Sequence, residues 1–187
     1  MREIALYIEL MIGRFRGWPI LAKTKGQSEI QSVENLLDMP GHLLRRCHQI
    51  AVAIFLDECQ DADLTPLQYV ALTSLATHGA LDKSTIGGYA ALDRTTVAVV
   101  MKNLEERGLV TKRPSETDRR ATLIEITRAG TELLASVQTA VARAQARMLA
   151  PLAPRERGEF LRMLARMAEG NNLLSRAPRR VRKRTRD

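Results

Sequence analysis

From residue 40 onward the apolar positions change period twice. Leu43, Cys47, Ile50 and Ile54 recur at spacings of four, three and four, which predicts one buried stripe along a helix. Thr65 followed by Pro66 reads as a capped helix start, with Leu67, Val70, Leu72 and Leu75 as apolar surface and Gly79 as the end. A short helix is expected from about Ser84 to Leu92, intrinsically poor because of Gly87 and Gly88. Asp93 then caps a helix whose buried stripe is Val97, Val100, Met101 and Leu104, and whose left-handed stop is Gly108. Next the period drops to two. "LVTKR" and "ATLIEIT" read as strands, with Ile124 and Ile126 on one face and Glu125 on the other. The helical period returns at Thr127: Leu134, Val137, Val141, Ala144 and Met148 form a seam suited to helix pairing. Pro151 and Pro154 break that run before a last helix carrying Phe160, Leu164 and Met167.

This order predicts a mainly α chain with one small β-hairpin: a winged helix-turn-helix lobe, about 64–127, flanked by N- and C-terminal helices. In such a lobe the second helix of the pair offers its exposed face to the major groove of double-stranded DNA. The buried stripe leaves Arg94, Thr95, Thr96, Ala98, Val99 and Lys102 on or near that face. A hairpin tip is narrow enough to reach the adjacent minor groove, where an arginine meets strong negative potential. The loop between the strands carries Asp118, Arg119 and Arg120, and a carboxylate there can orient a guanidinium before DNA arrives. Arg113, at the end of the first strand, joins this candidate DNA-binding set.

Composition alters the picture only locally. Aromatics make up 4% of the 187 residues, so the core must be aliphatic, which suits packed helices. The net charge of +8 is uneven: "RAPRRVRKRTRD" (176–187) holds +6 of it and reads as a disordered basic tail with affinity for phosphates. Residues 1–39 read as a partly helical extension, and 40–175 as the main domain. No apolar run approaches the roughly 20 residues that span a bilayer. Glu3 and Glu9 interrupt the apolar N-terminal stretch, so no membrane partner is expected and the chain reads as cytoplasmic.

At this point "LDRTTVAVVMKNLEERGLVTKRPSETDRRATLIEITRAG" resembles the core of MarR-type transcription regulators. In that family a recognition helix leads through "LEERGLV" into a wing bearing Asp-x-Arg, here Asp118-Arg119-Arg120, and "LTPLQYVALTSLATHG" is similar to the family's second helix. The resemblance covers roughly 41–174. It implies a homodimer on a pseudo-palindromic operator, most often acting as a repressor, with interlocking terminal helices. Leu134, Val137, Val141, Met148, Phe160 and Leu164 are then the dimerisation candidates. No other part of one small chain obviously supplies that seam with an apolar partner. The resemblance also implies release by a small anionic or phenolic (aromatic) effector, with His48 and Tyr69 as candidate pocket walls. Where family members often carry polar or basic readers, this chain has Ala98 and Val99, so base reading leans on Thr95, Thr96 and contacts with thymine methyls. A ligand-independent regulator, DNA-architectural or constitutive, is the alternative.

Other chemistries find little footing. Cys47 sits on an apolar stripe and reads as a core residue, while the cysteine of peroxide-sensing relatives would align near Gly41. Cys59, near a helix end, reads as the more accessible thiol, its pKa raised by Asp57, Glu58 and Asp61. His42 and His48 stand six apart, off a shared helical face, so no metal site and no cofactor is expected. Trp18 could serve a urate-type site as in some relatives, but Val70 stands where the partner acid would be, and packing is the favoured role. No catalytic motif appears, and the chain does not read as an enzyme.

Overall fold

The computed structural model describes residues 37–115 and 122–178. The extension over 1–36 with Trp18, the loop 116–121 with Asp118, Arg119 and Arg120, and the segment from 179 lie outside the described residues. Contacts divide the chain into two units, Met1–Leu44 and Arg45–Asp187. Residues 37–44 of the first unit lead into helix α1 (Pro40–Glu58).

In the second unit, α1 runs on to a 3-10 turn at Gln60–Ala62, followed by α2 (Pro66–His78), α3 (Lys83–Ala90) and α4 (Arg94–Glu106). Strands β1 (Val110–Pro114) and β2 (Thr122–Ile126) come next, then α5 (Arg128–Met148), α6 (Pro154–Gly170) and a 3-10 turn at Asn172–Leu174. The helix starts follow the local chemistry. At α2, the Thr65 hydroxyl accepts from the Gln68 amide at 3.2 Å and the Gln68 side chain accepts from the Thr65 amide at 3.0 Å, with Pro66 in the first helical position. Gly108 adopts a left-handed φ of 69° beyond α4, as the sequence predicts.

The strands pair antiparallel, Val110 opposite Ile126 through Pro114 opposite Thr122. Ile124 is buried, and its backbone also exchanges two hydrogen bonds, 3.0 and 2.8 Å, with Leu81. The segment between α2 and α3 therefore lies along β2 as a one-residue third strand, a pairing invisible in the sequence pattern. Leu72, Leu75, Ile86, Val97, Met101, Leu104 and Ile124 are all but completely buried, so α2, α3, α4 and β2 share one aliphatic core. Burying each of the larger side chains is worth about 1.5–3 kcal/mol.

Three sequence expectations need correction. Cys47 is exposed and Cys59 is buried, the reverse of the expected pair. The stripe on α1 is real as a pattern, yet Leu43 and Ile50 also remain about half exposed, so within this chain the stripe covers little. Cys59 falls on the opposite side and packs in the same cluster as Phe55 and Leu64. Burial, and then the neighbouring Glu58, push its thiol pKa up, against a smaller pull from Arg143. Second, the seam on α5 has an apolar partner after all: Leu134, Val137 and Val141 are buried in the core of their own chain. Third, Gly87 does more than soften α3. A Cβ there would meet the Leu92 carbonyl oxygen at 2.8 Å, so a glycine permits the close return of the turn into α4.

Candidate nucleic-acid interface

The two helices of the pair start on the same local sequence, Leu81-Asp82-Lys83-Ser84-Thr85 and Leu92-Asp93-Arg94-Thr95-Thr96. In each the leucine is buried and the aspartate is the N-cap. Asp82 accepts from the Thr85 amide at 3.0 Å and Asp93 from the Thr96 amide at 2.8 Å. These bonds satisfy donors that the first helical turn leaves orphaned. The Asp93 carboxyl lies below its ordinary value, chiefly because of the Thr96 amide. Burial pushes Asp82 up, but the Thr85 hydroxyl and amide outweigh it and the carboxyl is also lowered. With the cap spoken for, the basic and hydroxyl residues after it are left to face outward: Lys83, Ser84, Arg94 and Thr95 are exposed.

The turn between the helices is tight. Ala91 takes the left-handed conformation (φ 52°, ψ 39°), and the Leu92 amide donates to the Gly87 carbonyl at 2.8 Å. A cleft of about 810 Å³ opens beside this turn. Lys83, Ser84 and Thr85 line it from α3, Arg94 and Ala98 from α4, Thr122 from the first position of β2, and Arg176 to Pro178 from the far end of the described chain. The start of α4, the start of α3 and the stem of the hairpin thus border one space. Lys83 and Ser84 were missed in the sequence reading, although the repeated Leu-Asp-basic-hydroxyl-Thr pattern was an available signal; Arg176 opens the basic tail read from the sequence, but its place beside this cleft was not foreseen.

Of the residues expected on the reading face, Arg94, Thr95 and Lys102 are exposed, and Thr96 and Ala98 are half-buried. Val99 is 55% exposed, unusual for a valine and free to meet a methyl group. Lys102 stands 3.6 Å from Glu106 one turn on, an exposed pair of little energetic weight. Arg113 pairs with Glu125 across the strands at 3.3 Å, which commits its guanidinium to the stem. Lys112 pairs with Glu105 of α4 and ties the stem to that helix. His48 is exposed, and Tyr69 packs against Phe55 with ring centroids 5.7 Å apart; neither lines the 810 Å³ cleft.

Behind the reader, one hydroxyl gathers three segments. Thr127 Oγ1 donates to the Gly108 carbonyl at 2.7 Å and accepts from the Gly130 amide at 3.1 Å, while the Thr127 amide donates to Leu109 at 3.0 Å. Gly130 sits so close that a Cβ would lie 2.3 Å from the Leu109 carbonyl oxygen and 2.7 Å from Ile126. At the other end of α5, Arg143 donates to Glu58 at 2.8 Å and Arg147 pairs with Asp57 and Glu58 of α1. The Arg143 hydrogen bond holds the Glu58 carboxyl below its usual range against partial desolvation. Among the described residues no helix is long and apolar enough to cross a membrane.

The MarR family model matches residues 64–122, which include both helices of the pair and β1. The chain is 29% identical over 137 residues to the transcriptional repressor NicR of Pseudomonas putida, an alignment covering 73% of this chain and 87% of the relative. Among solved structures it is similar to Bordetella bronchiseptica BpsR, whose DNA binding is regulated by 6-hydroxynicotinic acid: 31% identity, TM-score 0.68, 71% of this chain and 95% of that one. It is also similar to the transcriptional repressor CouR bound to a 23-mer DNA duplex: 26% identity, TM-score 0.67, 78% of this chain and 99% of that one. These relatives are regulators rather than enzymes. With the helix pair, the hairpin stem and the shared cleft in place, the chain belongs to the MarR family of transcription regulators.

Proposed function

We propose that this regulator is a homodimeric repressor that reads a pseudo-palindromic duplex and releases it on binding a small hydroxylated aromatic acid. The observation that carries the DNA-reading part is the single cleft bordered by Lys83, Ser84, Arg94, Ala98 and Thr122. Residues with that arrangement suit a major groove on one side and a minor groove on the other. Arg94, Thr95, Thr96, Ala98, Val99 and Lys102 form the major-groove reader. Asp118, Arg119 and Arg120, which precede Thr122 in the sequence, form the wing finger, and Arg113 braces its stem. The likeness to CouR, solved on a duplex, supports this assignment.

Exposed apolar side chains support pairing of two copies. Ile50 and Leu56 on α1, Leu161, Met163 and Met167 on α6, and Leu173 and Leu174 beyond it are 41% to 91% exposed in the single chain. That much apolar surface marks an interface. Phe160, Leu164 and Met148 are half-buried and would be completed by a partner; Leu134, Val137 and Val141 would support the interface from within their own chain. The effector class follows from BpsR and its 6-hydroxynicotinic acid, with His48 and Tyr69 as candidate walls. An effector can release DNA only by binding the released form more tightly than the DNA-bound form.

Fluorescence anisotropy on duplexes tiled from the DNA upstream of the coding sequence tests the proposal. Binding should be dimeric, steeply salt-dependent and weakened by 6-hydroxynicotinate or a related acid. Arg120→Ala binding with full affinity at moderate salt would remove the wing from the account. The apolar Val99 favours a second reading, an architectural regulator with few base-specific bonds; DNA bending that no aromatic acid affects would select it.

A further inference from the structure

Past α6 the chain bends through local bonds. The Asn171 side-chain amide donates to the Met167 carbonyl at 2.8 Å, the Ser175 amide to the Asn172 carbonyl at 3.1 Å, and the Ala177 amide to the Ser175 hydroxyl at 3.1 Å. Arg176, Ala177 and Pro178 then form a wall of the cleft that Lys83 borders from α3 and Arg94 and Ala98 from α4. Ala177 and Pro178 are half-buried. The Asp93 carboxyl, held down chiefly by the Thr96 amide, is lowered further by the charge of Arg176, so the segment lies within electrostatic reach of the cap of α4.

We propose that Arg176–Pro178 is an autoinhibitory strap, which stands in front of α4 and has to move aside before a duplex can reach that helix. The proposal rests on the DNA-reading assignment above. Size decides that strap and duplex exclude each other. With the strap in place the cleft holds about 810 Å³, the capacity of a small-molecule pocket, roughly 300–1,000 Å³. Base reading needs side chains at about 3 Å from base edges in a groove about 12 Å wide. Chain that already borders Arg94 and Ala98 takes up that approach. The hold is light enough to reverse. The strap hangs from α6, which buries no residue within this chain, and the intervening Leu173 and Leu174 are 91% and 61% exposed. Arg176 gains Asp93 but shares the cleft with Lys83 and Arg94, like charges that favour the open position. Only the open fraction binds, so the strap lowers apparent affinity by that fraction.

The test replaces the strap within the full chain, by Arg176→Gly, Ala177→Ser and Pro178→Gly with 179–187 kept, and follows association and dissociation on a duplex from the upstream region. The replaced chain should bind about three- to tenfold tighter, as for a strap closed roughly 70–90% of the time, with the gain in the association rate. Loss of a positive charge alone would weaken binding to a polyanion, so charge does not produce that result. A second variant holds the strap shut. Thr122→Cys and Ala177→Cys, both on the cleft, are joined by a short bismaleimide in a Cys47→Ser background, Cys59 being buried. The joined protein should bind at least tenfold more weakly than its own unjoined form. Unchanged or weaker binding by the replaced chain overturns the strap, and so does undiminished affinity in the joined one. If native and replaced chains both melt cooperatively yet ignore the duplex, the DNA-reading assignment falls instead.

Discussion

Asp93 holds the first turn of α4 through the Thr96 amide, at the end of the helix that the proposed function places against DNA. Asp93→Ala removes the cap and should lower the urea midpoint of unfolding with an unchanged slope. Asp82 and Asp93 are both depressed below the ordinary 3.8 of an aspartate. A carboxyl with a depressed folded pKa stabilises fully above its unfolded value and loses that contribution as pH falls through the lower folded value. Thermal melts should therefore be flat with respect to these two groups above about pH 5 and fall below about pH 4. Asp93→Asn, which caps nearly as well without titrating, should shed part of that fall. At Gly130 the chain has no room: Gly130→Ala drives a methyl into the Leu109 carbonyl and Ile126 and should destabilise by about 1–3 kcal/mol or more. The caps at Thr65 and Asp93 were legible because each acts on an amide three residues away. The two cysteines were not, because a stripe on one helix does not say whether its own chain or another will cover it.

At the scale of elements, short specific ties join the lobe: Lys112 of β1 pairs with Glu105 of α4, Arg107 at the end of α4 donates to the Asp63 carbonyl before α2 at 2.7 Å, and Leu81 between α2 and α3 bridges Ile124 of β2. The periods of 3.6 and 2, together with caps, prolines and glycines, placed the α-helices and both strands from residue 40 to Gly170, even though α1 buries only Phe55 and α6 buries no residue within this chain. The Leu81 bridge escaped because one residue has no period, and the cleft escaped because it is made by elements far apart in sequence. Val99 belongs to this scale, as an apolar side chain standing on the helix surface rather than under it. Val99→Asp should leave the melting temperature within a few degrees, because the side chain packs little. It should weaken duplex binding by tenfold or more, since it brings a carboxylate toward phosphates. Circular dichroism and anisotropy on one sample check both halves.

For the molecule as a whole, the proposed pairing of two copies rests on the exposed apolar side chains of α6. Leu161→Glu and Met163→Glu together place charges on positions that are each 50% exposed in the single chain. The variant should keep its helical content yet sediment as a monomer at micromolar concentration, and lose most of its affinity for a two-half-site duplex. A variant that stays dimeric would put the interface elsewhere. The sequence carried the presence of a long apolar seam on α5 but not its allocation. Leu134, Val137 and Val141 face inward because α5 lies against the core built by α2, a geometry set by tertiary packing and not by spacing.

The Thr127 hydroxyl, bonded at once to Gly108 and to the Gly130 amide, leaves no slack between the lobe and the long α5 lever. If the proposed effector acts through α5, that joint is what carries its effect to the helix pair: Thr127→Val keeps the side chain's shape but removes both bonds, and should leave duplex binding largely in place while weakening release by the acid.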